Sequence, residues 1–139
     1  MHADLNQIQA FLKAEFPQSL TKCHIEAVDR CYARVGYSIN ADDLRPGGTV
    51  SGPAMFSIAD FAMYVAILAE LGLLALAVTS NLNINFLRKP VAHADLWAEC
   101  HLIKTGRQLV VGEVWVYSVG QADAVAHVTA NYVLPSSTQ

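Results

Sequence analysis

The stretch from Pro53 to Glu70 constrains this chain most. It is apolar on every side of a helical wheel, contains no lysine or arginine, and is interrupted by two carboxylates, Asp60 and Glu70. A helix that is hydrophobic all round has to be buried on all faces. A membrane span needs about 20 largely apolar residues, and the two acids break the run from Ala54 to Val78. The expectation is therefore a helix at the centre of a folded core. Proline suits its first turn, where a missing N–H is no loss, and Gly72 is a natural stop.

The flanks show what surrounds it. Leu5, Ile8, Phe11, Leu12 and Phe16 recur at helical spacing until Pro17, predicting a short amphipathic helix. Cys23–Val28 and Cys31–Ile39 read as two strands about the polar pair Asp29-Arg30, and 40–48 as a loop. Residues 79–88 alternate strictly, with Leu82, Ile84 and Phe86 on one face and Asn81, Asn83 and Asn85 on the other. Three more strands follow, at His93–Lys104, Leu109–Val119 and Ala124–Leu134, joined by turns at 105–108 and 120–123. The tail Pro135–Gln139 is expected to fray. The fold class is α+β: a mainly antiparallel sheet of five or six strands must bury one face. The helix at about 53–71 is the element apolar and long enough to fill it.

Charged residues make up 15% of the 139-residue chain and hydrophobic ones 53%. That leaves more apolar surface than one small domain buries, so self-association is expected. A net charge of -3 with no long basic stretch argues against nucleic acid as a partner. Cys23, Cys31 and Cys100 are far apart and odd in number, which fits reduced thiols in a cytoplasmic protein. The segment Met1–Gln7 lacks a basic stretch followed by an apolar one, so no secretory signal is expected. His2, His24, His93, His101 and His127 show no metal-ligand spacing, and no nucleophile elbow, P-loop or dinucleotide fingerprint occurs.

Asp60 stands out chemically. A carboxylate within an apolar helix is costly unless it is paired, hydrogen-bonded or used. It follows a glycine-rich turn, Arg45-Pro46-Gly47-Gly48-Thr49-Val50-Ser51-Gly52.

These residues resemble the PaaI-like acyl-CoA thioesterases of the hotdog fold, over about residues 20–134. The family pattern is Asn-x-x-Gly-x-x-His-Gly-Gly, an apolar turn ending in Ala-Asp, and a strand of type Thr-x-x-Leu-x-Ile-x-Phe-Leu-x-Pro. The match runs through Gly48, Gly52, Ala59, Asp60, Thr79, Leu82, Ile84, Phe86, Leu87 and, after one extra residue, Pro90. Arg45 replaces the family's Asn, Ser51 its His and Pro53 its second Gly, which marks a divergent subgroup. The resemblance implies residues 1–139 as a single hotdog domain that hydrolyses acyl-CoA, without a metal or prosthetic group and away from membranes. It also implies a homodimer or dimer of dimers with two antiparallel central helices.

In that setting Asp60 is the expected base or nucleophile. The Gly52 N–H, at a helix start that favours negative charge, is the expected oxyanion donor. Pro53 has no N–H to offer. Asp60 lies about 12 Å further along the same helix, so both can reach one carbonyl only from different protomers. Tyr64, four residues on, shares the face of Asp60 and is a candidate to position it or a water. Ser51 is read as a helix cap or a thioester contact. Arg88 and Lys89 are the expected contacts for the CoA phosphates, with Lys104 and Arg107 weaker and Arg45 reaching either the thioester or CoA. A non-catalytic acyl-CoA or acyl-lipid binding module on the same scaffold is the alternative. A hydratase is disfavoured because no histidine lies between His24 and His93.

Overall fold

The computed structural model describes residues 2–135; Met1 and residues 136–139, most of the expected tail, lie outside the described residues. Helix α1 spans Leu5–Glu15 and α2 spans Gly52–Leu71. Six strands, β1 (Cys23–Asp29), β2 (Tyr32–Tyr37), β3 (Val78–Phe86), β4 (Leu96–Thr105), β5 (Leu109–Ser118) and β6 (Ala126–Val133), form one sheet in the order β1-β2-β4-β5-β6-β3. Every pairing is antiparallel. The sheet wraps round α2, as the hotdog fold requires.

α2 is long and apolar enough to cross a membrane by length and composition, yet its most apolar window is 78% buried. It is the core helix of the fold, and every residue from Phe61 to Glu70 is buried. Ser51 caps its start by accepting from the Ala54 N–H at 3.3 Å. Gly72, at φ 100°, ends it in a backbone conformation that favours glycine. The helix lies close on the sheet at Gly112 of β5, where a Cβ would stand 2.6 Å from Met63 Sδ.

Differences from the expected elements have local causes. α1 stops at Glu15, and Pro17–Leu20 forms a separate 3-10 turn rather than only a stop. β4 begins at Leu96, not His93, because His93 has a positive φ of 60° and the Asp95 carboxylate takes the Ile39 N–H at 3.0 Å. β3 ends at Phe86, and Arg88 leaves the strand to bond the Ala124 carbonyl. The three cysteines are free. Burial pushes the Cys23 thiol up to about 12 and raises that of Cys100 further.

Candidate active site

The two acids that interrupt α2 are accommodated in opposite ways. Glu70, near the helix end, accepts from Arg30 Nε at 3.0 Å, Arg30 Nη2 at 3.1 Å and the Cys31 N–H at 2.9 Å. The Arg30 hydrogen bonds hold its carboxyl well below the usual range, at about 2, against the upward pull of desolvation. It is a neutralised structural ion pair. Asp60 is half-buried and has no cationic partner among the described residues. It accepts instead from two hydroxyls, Thr79 Oγ1 at 2.6 Å and Tyr132 OH at 2.9 Å.

The sheet supplies these hydroxyls through an irregularity. Thr79 of β3 and Tyr132 of β6 are cross-strand partners. The next pair in register is Asn81 with Asn131, so Ser80 is an extra residue in β3. Without that bulge Thr79 would share the outward face of Asn81 and Asn83. With it, Thr79 turns to the side of Tyr132, which is the core side and faces Asp60. Bulges re-aim side chains in this way beside functional sites. Burial, and then the charge of Asp60, push the Tyr132 phenol far up, so it stays protonated and remains a donor.

Asp60 lies where two clefts meet. One, of about 440 Å³, runs toward the 3-10 turn and the start of β1, and its walls include Phe56, Phe61 and Lys22. The other, of about 590 Å³, runs toward Leu76 and Val78. Phe16, Tyr64 and Tyr132 border both. The Tyr64 and Tyr132 rings stack at 6.1 Å, and Phe16 meets Tyr64 edge-on at 6.2 Å. Apolar walls around a few convergent polar groups are the usual form of a small-molecule site. Lys22 is engaged elsewhere, with its ammonium 3.0 Å from the buried Asp43. Asp43 also accepts from Tyr37 OH at 2.7 Å and the Asn40 N–H at 3.0 Å, and these bonds hold its carboxyl low although desolvation, the largest single influence, raises it.

The remaining sequence candidates fall in separate places. Tyr64 shares the clefts of Asp60, but its hydroxyl donates to the Leu74 carbonyl at 3.3 Å. Gly52 opens α2, and its N–H donates to no backbone carbonyl among the described residues. The Phe86 ring lies over it, 3.2 Å from where a Cβ would be. Arg88 and Lys89 follow Phe86, so they stand at the Gly52 end of the helix rather than at Asp60. Arg45 is exposed in a loop closed by the Leu44–Val50 bridge, and its N–H donates to the Thr49 carbonyl at 2.7 Å. Asp60 is thus joined by Tyr64 alone among those candidates. Thr79 and Tyr132 were not singled out for this role by the sequence.

A family model described as the thioesterase superfamily matches residues 47–132. The chain belongs to the thioesterase superfamily. A crystal structure of a candidate thioesterase from Silicibacter sp. TM1040 is 39% identical, with 95% of this chain and 92% of that chain covered and a TM-score of 0.86. The Escherichia coli PaaI protein of the phenylacetic acid degradation operon is 27% identical, covering 90% of this chain and 88% of its own, at a TM-score of 0.71. A Saccharolobus solfataricus protein described as a candidate esterase is 28% identical over 96% of this chain and 87% of its own length. This hotdog-fold member of the thioesterase superfamily is therefore related to PaaI-like proteins, and the likeness supports hydrolase activity of that general kind.

Proposed function

We propose that this protein hydrolyses acyl-CoA thioesters, with residues 1–139 acting as one domain and each active site shared between two subunits. The observation that carries the reading is Asp60: a carboxylate at the junction of two apolar clefts that, among the described residues, has no cation beside it and is held by two hydroxyls. Acting as a base, it takes a proton from water as the water oxygen bonds to the thioester carbon. The carbonyl electrons move to oxygen, return as the C–S bond breaks, and CoA leaves as a thiolate that takes up a proton. Acting as a nucleophile, it bonds to the same carbon first, the C–S bond breaks to release CoA as a thiolate that takes up a proton, and water then cleaves the mixed anhydride to the free acid and the Asp60 carboxylate. Either route develops an oxyanion, for which a fixed N–H is the usual stabiliser.

That N–H is the partner subunit's Gly52. α2 and β3 run in opposite directions, with Gly52 against Phe86 and Asp60 against Thr79. β3 is an edge strand. Pairing it antiparallel with a second β3 about a two-fold axis near its middle brings the Phe86 end of one chain to the Thr79 end of the other. Gly52 of one subunit then approaches Asp60 of its partner. Arg88 and Lys89 travel with Gly52 and offer cations to the CoA phosphates.

One feature favours the alternative of a binding module: Ser51, in place of the family's His, uses its hydroxyl to cap α2. Thiol release from a panel of short-chain, long-chain and aryl CoA thioesters separates the two. The proposed function requires turnover of at least one thioester and its loss, by more than about 100-fold, in Asp60→Asn. CoA binding without turnover of any thioester supports the binding module instead.

A further inference from the structure

Both hydroxyls that reach Asp60 reach the same atom. Thr79 Oγ1 and Tyr132 OH each point at Oδ1, at 2.6 and 2.9 Å, and Oδ2 takes no hydrogen bond from the described residues. The Tyr132 hydroxyl also lies 3.3 Å from the Asp60 backbone carbonyl, but its shorter contact is to the carboxylate. We propose that Tyr132 is a positioning residue which, with Thr79, fills Oδ1 and presents Oδ2 as the oxygen that meets water or thioester. This deepens the hydrolase reading and rests on it.

The chemistry follows from the torsion of a carboxylate. The χ2 angle of aspartate is broad and nearly two-fold, so an unrestrained Asp60 exchanges its oxygens and sweeps a wide arc. A donor on one oxygen limits that motion, and two donors from different strands remove it. Tyr132 is suited to the task. Its ring is 3% exposed and stacks on Tyr64, so the phenol has little freedom of its own. Its partner in register, Thr79, is brought to the same face by the bulge at Ser80. Reaction geometry is sensitive to such fixing, because a small misplacement of a reacting group lowers the rate strongly.

The test compares steady-state kinetics of wild type, Tyr132→Phe, Thr79→Val and Asp60→Asn on the best CoA thioester, with a melting curve for each. Tyr132→Phe keeps the ring and the stack and removes one hydrogen bond to a charged group. The expected result is a fall of about 10- to 100-fold in kcat, an equal fall in kcat/KM, KM within about twofold, and a nearly unchanged melting temperature. Thr79→Val, on an exposed edge strand, shows the same pattern and keeps the test open should Tyr132→Phe fail to fold. Wild-type kcat in either folded variant overturns the positioning role, as does a change confined to KM. Retained activity in Asp60→Asn overturns the hydrolase mechanism itself, so the two failures are distinct.

Discussion

At the scale of single residues, Asp60 and Glu70 show how context divides one side-chain chemistry into two roles. Each is a carboxylate in the same apolar helix, ten positions apart. Glu70 is paired with Arg30 and an amide, and its carboxyl lies at about 2. A depressed folded-state value means stability that is present above the unfolded-state value and is lost as pH falls through the folded one. Unfolding followed from pH 6 down toward pH 2 should show this as a decline beginning near the ordinary value of 4.5 and continuing to about 2. Glu70→Gln should be less stable at neutral pH and should show a flatter acid limb. An unchanged limb would mean that the pair holds no net charge-dependent stability. Asp60 has no such partner among the described residues and borders the clefts, which is why chemistry is assigned to it and not to its neighbour.

At the scale of elements, the close approach of α2 to the sheet is the contact to probe. Gly112 of β5 faces Met63, which is fully buried, and a Cβ there would meet Sδ at 2.6 Å and Cε at 3.0 Å. Gly112→Ala should therefore cost about 1–3 kcal/mol by overpacking, read as a lower denaturation midpoint with an unchanged slope. Neutral or higher stability would show that Met63 re-packs freely. Much of this architecture was legible beforehand. All-round apolarity identified α2 as the core helix, and the alternation of Leu82, Ile84 and Phe86 with asparagines marked β3. The partners of Asp60 were not legible. Strict alternation assigns Thr79 to the asparagine face, and the extra residue at Ser80 that reverses it leaves no periodic signal. Tyr132 is 72 positions from Asp60, and only strand register brings it near. The 3-10 turn that walls one cleft was hidden because Pro17 ends a helix and also starts a turn.

At the scale of the whole molecule, the open edge of the sheet and the proposed sharing of the site between subunits have one explanation. β3 has a free edge, and Val78, Phe86 and Leu87 are 58%, 55% and 47% exposed in the single chain. Exposed apolar edges invite strand pairing unless they are covered. In the proposed dimer a second copy pairing with β3 would cover this edge and bring the partner subunit's Gly52 to Asp60, two groups that α2 keeps about 12 Å apart within one chain. The most direct test mixes two inactive variants. Asp60→Asn lacks the acid, and Gly52→Pro lacks the amide while placing proline in the first turn, where it is tolerated. In a mixed dimer, one site takes Asp60 from one chain and Gly52 from the other, both intact. Co-refolding equal amounts should return about a quarter of wild-type turnover, since half of the dimers are mixed and each has one whole site. No recovery, with mixed dimers shown to form, would contradict a site shared between subunits.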